Sequence, residues 1–216
     1  MKKNFTEIVF VLDESGSMEY LRSDTVGGFN SLIGKQKNEE GDAVVSAVLF
    51  STESHVLYDR VPLENIGRMT EKDYCPNGGT ALLDAVGDAV RHIRNIHKYA
   101  RPDDVPEHTL FIVTTDGMEN SSRKYTAKKV KSMITEQQEK YGWEFVFLGA
   151  NIDSAETAES IGIAPASAVD CFADSVGCTV QYETMSRAVS IARKGIKLSD
   201  CSEWREDADA DIRRRK

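Results

Sequence analysis

The chain has 216 residues, a formal net charge of −8, and 40% hydrophobic and 29% charged residues. That is an ordinary balance for a globular domain, and its acidic sign argues against a general nucleic-acid binder, which carries a basic excess. No window reaches the roughly 18 apolar residues of a membrane helix. The first apolar run is also shorter than the ~7–15 residues of a signal-peptide core, so the expected location is the cytoplasm.

In chain order, Ile8–Leu12 (IVFVL) is a continuous apolar run that ends in Asp13. Such a run predicts a strand covered on both faces. Met18, Leu21, Phe29, Leu32 and Ile33 then recur at helical spacing, with Gly27-Gly28 weakening the middle. Ala43–Ser51 reads as a second strand. His55–Val61 reads as its hairpin partner, because so short a connection joins only antiparallel neighbours. The stretch Pro76, Asn77, Gly78, Gly79 breaks structure. A helix follows it, with Leu82, Val86, Ala89, Val90, Ile93 and His97 on one face. Thr109–Gly117 (TLFIVTTDG) is another buried strand ending in an aspartate, Asp116.

Tyr125–Lys140 predicts a charged helix, and Glu144–Ala150 a strand. Asp153 or Ser154 can cap a short helix to Ile161. Ser167–Phe172 predicts a short edge strand, and Val176–Lys194 a closing helix. The alternation predicts an α/β fold: a doubly wound, mostly parallel six-stranded sheet, Rossmann-like, with one antiparallel edge strand and helices on both faces. Residues 1–197 are read as one domain. Residues 198–216 are read as a flexible charged tail, in which the acidic run from Glu203 to Asp211 balances the final basic residues. Cys75, Cys171, Cys178 and Cys201 form neither CxxC nor a zinc spacing, which leaves four free thiols.

Ligands of open α/β sheets bind beyond the carboxyl ends of the strands. On a parallel sheet that rim collects Asp13 with Ser15 and Ser17 in the following turn, Thr80 at the start of a helix, and Asp116. The set is all oxygen, which selects a hard divalent cation: Mg²⁺ first, then Mn²⁺ or Ca²⁺. A helix start repels a cation by only about 0.3–1 kcal/mol, which a neighbouring carboxylate outweighs. Each part alone has a plainer reading. Ser and Asp are ordinary helix caps, Thr80 suits an N-cap, and Asp-Gly suits a turn. Glu14, between the ligand positions, is expected to point away. Glu119 to Arg123 either line the rim or are simply loop.

Asp13-x-Ser15-x-Ser17, then Thr80 after a Gly-Gly turn, then Asp116-Gly117, resembles the metal-ion-dependent adhesion site of von Willebrand factor type A (vWA) domains. The element order is similar over roughly residues 5–195. The resemblance implies that Asp13, Ser15 and Ser17 reach the metal directly, and Thr80 and Asp116 directly or through water. It implies a protein-binding module, not an enzyme, in which a partner's Asp or Glu completes the metal shell; the charge and hydropathy above add the expectation that neither nucleic acid nor membrane is involved. It points to the stand-alone intracellular forms of bacteria and phages. Two alternatives remain. One is a Mg²⁺-dependent phosphotransferase of the haloacid dehalogenase type, but Ser15 stands where its DxD pattern needs a second acid, and a hydroxyl cannot do that proton work. The other is a purely structural scaffold.

Overall fold

The computed structural model describes residues 1–215. Its sheet is built from β1 (Lys2–Asp13), β2 (Asp42–Phe50), β3 (Ser54–Pro62), β4 (Pro106–Thr115), β5 (Glu144–Ala150) and β6 (Ala168–Cys171). The helices are α1 (Arg22–Gln36), α2 (Leu82–Tyr99), α3 (Ala127–Tyr141), α4 (Ser154–Ser160), α5 (Ser175–Arg193) and α6 (Glu206–Arg215). The strand order is β3-β2-β1-β4-β5-β6. Every pairing is parallel except β2 with β3, so the one antiparallel strand lies at an edge, as the short Ser51–Glu53 connection requires.

The continuous apolar runs are explained by two cores. On β1, Ile8, Phe10 and Leu12 enter the layer under α1 and α5, while Val9 and Val11 enter the layer under α2 and α3. β4 repeats this, with Leu110 and Ile112 on one side and Phe111 and Val113 on the other. Side chains alternate along a strand, so the stretch of a strand that is covered on both faces by apolar layers is continuously apolar. Both strands begin earlier than their apolar runs, because Lys2 to Asn4 and Glu107 extend the ladder outside the core.

The Gly27-Gly28 pair does not break α1. A side chain at Gly28 would put its Cβ 2.3 Å from the ring of Tyr182 on α5. Glycine costs helix propensity here and gives close approach of two helices in return. The buried carboxylate of Glu7 on β1 takes a hydrogen bond from Arg60 Nε at 2.7 Å and also meets the His97 ring at the end of α2.

Residues 198–215 correct the expectation of a flexible tail. They form two 3-10 turns and α6, which packs against α5 and β6. Trp204 is 1% exposed and lies with Leu198 and Ala208 in the α1/α5 core layer. The charges are balanced locally: Arg205 bonds Asp209, Arg214 and Arg215 bond Asp211, and Arg187 of α5 pairs with Asp207. A few apolar residues among many charges gave no periodic signal; the buried ring of Trp204 and the ion pairs of buried Asp211 hold the short helix. At the other edge, β3 carries register shifts on either side of Ala47, and Arg60 sits at φ 50° with its N–H turned to Ser46 Oγ.

Candidate metal centre

β1 and β4 are neighbours, and the chain turns to opposite sides of the sheet from them: β1 leads to β2, and β4 leads to β5. This is the switch point at which open α/β sheets form a crevice. Leu12 pairs with Thr114, so Asp13 leaves the sheet beside Thr115 and Asp116.

The turn after β1 is a 3-10 segment, Gly16–Leu21, and α1 starts only at Arg22. Ser15 occupies the cap position of that segment, but its side chain makes no capping bond. The plainer reading of the serines as helix caps therefore does not hold: both hydroxyls turn to the rim. Ser17 Oγ donates to Asp116 Oδ1 at 2.7 Å, Ser15 Oγ reaches the same oxygen at 3.4 Å, and the two hydroxyls are 3.1 Å apart. Asp13 Oδ1 accepts from the Ser15 N–H at 2.7 Å, and Asp13 Oδ2 accepts from Thr115 Oγ1 at 2.6 Å. Asp13, Ser15, Ser17 and Asp116 thus form one hydrogen-bonded cluster. Only Ser17 of the four is exposed, so the cluster opens to solvent at that residue.

Thr80 joins through its backbone. Its N–H donates to Asn120 Oδ1 at 2.9 Å, and its carbonyl accepts from the N–H groups of Asn120 and Ser121. It is not the helix cap: α2 is preceded by Ala81, and the first N–H groups of α2 are satisfied from the β4–α3 loop. Leu83 N–H donates to Glu119 and Asp84 N–H to Ser122. The Thr80 hydroxyl faces Gly117, where a Cβ would stand 3.6 Å from it. Further backbone bonds tie the three loops together, from Gly16 N–H to Gly78 carbonyl and from Asn77 N–H to Glu14 carbonyl. Gly78 sits at φ +65°, with Thr52 Oγ1 2.5 Å from where a Cβ would be, so no other residue fits that turn without strain.

Glu14 points away, as expected, and is buried and locally bonded: its carboxylate takes the Cys75 N–H and lies 3.6 Å from His55 Nδ1. Glu119 and Asn120 also turn inward, holding α2 and Thr80. Two positioning residues gave no sequence signal. Tyr74, wholly buried, donates its hydroxyl to the Asp13 carbonyl at 2.5 Å. Thr115 clamps the Asp13 carboxylate; a hydroxyl directly before Asp116 was the one available hint.

Burial pushes the Asp13 carboxyl above the usual carboxylate range, and the negative charge of Asp116 adds to this against the bonds from Ser15 and Thr115. Asp116 Oδ2 is buried and has no hydrogen-bond partner. A buried carboxylate oxygen left unpaired is costly, and a cation is a group that satisfies it. The described residues contain no group of three or more His, Cys, Asp or Glu side chains suited to a metal. The rim itself offers hydroxyls and two carboxylates, a donor set that fits a hard divalent cation.

The architecture is that of a von Willebrand factor type A domain. A von Willebrand factor type A protein from Catenulispora acidiphila matches with a TM-score of 0.59 at 16% identity, over 86% of this chain and 42% of that one. The vWF domain of the type V pili tip protein Mfa5 from Porphyromonas gingivalis matches at 0.59 and 11% identity, over 87% and 95%. Proximal thread matrix protein 1 from the mussel byssus, in a structure with a zinc-occupied MIDAS motif, matches at 0.57 and 12% identity, over 86% and 48%. The chain spans less than half the length of the first and third of these. At these identities the likeness concerns the fold. No protein-family model matches the sequence, and no curated protein matches it. No helix among the described residues is long and apolar enough to cross a membrane.

Proposed function

We propose that this chain is a divalent-metal-dependent protein-binding module. Asp13, Ser15, Ser17, Thr80 and Asp116 hold the ion, and a partner's Asp or Glu takes its open position. The observation that carries the reading is the buried, unpaired Asp116 Oδ2 beside Asp13, at a rim where two hydroxyls already converge on the other oxygen of Asp116. Oxygen-only donors favour Mg²⁺, with Mn²⁺ and Ca²⁺ next. When bound, the ion supplies the positive charge that draws in a partner carboxylate. The adhesion-site motif named for the mussel protein supports a divalent ion in this fold. Catalysis is not part of the reading: Ser15 replaces the acid that a phosphotransferase of this layout needs.

The test compares affinity capture in Mg²⁺ and in chelator, for the wild type and Asp13→Ala. A partner held only by the wild type in Mg²⁺ supports metal bridging; one retained equally in all lanes overturns it. A metal-dependent phosphatase activity lost in Asp13→Asn would favour the enzyme reading instead.

A further inference from the structure

A cavity of about 760 Å³ opens at the end of the sheet opposite the metal centre, between the last turns of α2 and α3 and the first residues of β4. Small-molecule sites span roughly 300–1,000 Å³. Val105, Pro106 and Trp143 give it apolar walls, and Gln137 of α3 also lines it. Gln137 is only 1% exposed, so it lies at the bottom. Its carbonyl accepts from the Trp143 N–H at 3.2 Å. Its side chain is unsettled: neither the amide oxygen nor the amide nitrogen has a hydrogen-bond partner among the described residues. Gln137 continues the buried stripe of Val130, Met133 and Ile134, where an apolar residue would serve the fold better. Burying a primary amide without partners is costly, and a ligand seated on it supplies them.

Trp143 is held in place. Its ring stacks on Phe111 at 5.3 Å and meets the His97 ring edge-on at 5.2 Å, and buried Glu7 engages His97. A fixed indole beside a primary amide suits a flat ring with a polar edge. The indole gives an apolar wall, and the amide pairs with an acceptor set next to a donor. Around the opening, Arg94, Lys98 and Lys140 stand against Glu107 and Glu136. Both carboxylates are engaged: Glu136 holds Lys140 at 2.8 Å, and Glu107 takes the Asn4 N–H at 2.9 Å. Lys98 has no ion pair among the described residues and lies over the Tyr99 ring. Arg94 has only the field of Glu136, which Lys140 already holds. The carbonyl ends of α2 and α3 oppose an anion weakly at an exposed site, and a guanidinium contact to an oxyanion outweighs them.

We propose that this cavity binds a small planar heteroaromatic molecule bearing one anionic group, a phosphate or a carboxylate. The ring packs on Trp143, its donor–acceptor edge pairs with the Gln137 amide, and the anionic group meets Arg94 and Lys98. The site shares no residue with the metal centre and does not depend on the metal-bridging reading.

The test is titration calorimetry on the full chain in chelator, so that no metal holds the anion. The probes are adenosine, guanosine and uridine monophosphates, their nucleosides, orotate, nicotinate and inorganic phosphate. At least one heteroaromatic anion is expected to saturate the chain, and the monophosphates and the carboxylates distinguish the two kinds of anionic group. Gln137→Leu should weaken that ligand by about 3- to 10-fold, and so should Arg94→Gln. Without ligand, Gln137→Leu should melt no lower than the wild type, because two unpaired polar atoms leave the interior. Three results would each overturn the proposal. One is no saturable binding by any heteroaromatic anion at millimolar concentration. Another is inorganic phosphate binding as tightly as they do, which means surface cations collecting an anion. The third is affinity retained in Gln137→Leu, or a Gln137→Leu chain that melts well below the wild type, which means that the fold itself already uses the amide.

Discussion

Replacing Asp13 by Asn separates the charge of this residue from its shape. Asp13 is 1% exposed and shares a buried site with the Asp116 carboxylate. Without metal, that charge is unfavourable. Asn keeps an oxygen to accept the Ser15 N–H, now at 2.7 Å, and the Thr115 hydroxyl can turn fully to the Gly117 carbonyl, already 3.0 Å away. In chelator the variant is therefore expected to melt no lower than the wild type. With Mg²⁺ the order reverses. An ion at a hundred times its dissociation constant stabilises the fold by about 2.7 kcal/mol. For a chain of this size, each kcal/mol moves the midpoint by about 2–4 °C. The wild type should thus gain about 5–11 °C, and Asp13→Asn little or nothing. The assay is thermal unfolding followed by circular dichroism, with Mg²⁺ and with chelator. A variant that keeps the full Mg²⁺ gain refutes the role of Asp13 as a ligand. A variant that melts well below the wild type in chelator refutes the account of buried charge.

Three further outcomes follow from the packing. Trp204→Ala should cost about 3–5 kcal/mol in urea unfolding, because a large ring leaves the core; a loss under ~0.5 kcal/mol would mean that residues 198–215 do not dock in solution. Gly28→Ala should destabilise by about 1–3 kcal/mol, since its Cβ would overlap the Tyr182 ring, and the companion variant Gly27→Ala, with nothing within 4 Å, should not. Brief alkylation of the native chain should modify exposed Cys75 before the buried pair, because burial pushes the Cys171 thiol up to about 12 and Cys178 to about 11. Intact and peptide mass spectrometry reads the order, and early labelling of Cys171 would contradict the packing of β6.

The central strands were legible because a strand covered on both faces must be continuously apolar, and the edge strand because three residues cannot carry a chain across a sheet. Asp13 and Asp116 were legible as the polar ends of such strands, and the serines and Thr80 as their companions across loops. What sequence could not disclose was direction. Ser15 looks the same whether it caps a helix or faces the rim. Glu14 and Asp13 are adjacent carboxylic acids, and only the twist of the turn sends one to Cys75 and the other to Thr115. Tyr74 lies in an irregular stretch with no period, so its bond to the Asp13 carbonyl had no pattern to announce it. Trp204 failed for a related reason: a helix held by one large ring and many ion pairs has no apolar stripe.

The two margins of the sheet bear on how this molecule associates. An unpaired strand invites a second chain to continue the ladder. Here β6 is only four residues long and touches α6, and β3 is bent by its irregular register and the left-handed Arg60. Neither margin is a straight template for a borrowed strand, so self-assembly by sheet extension is disfavoured. Copies of the domain can then be crowded together, as neighbours on one scaffold or repeats along one chain, without fusing edge to edge.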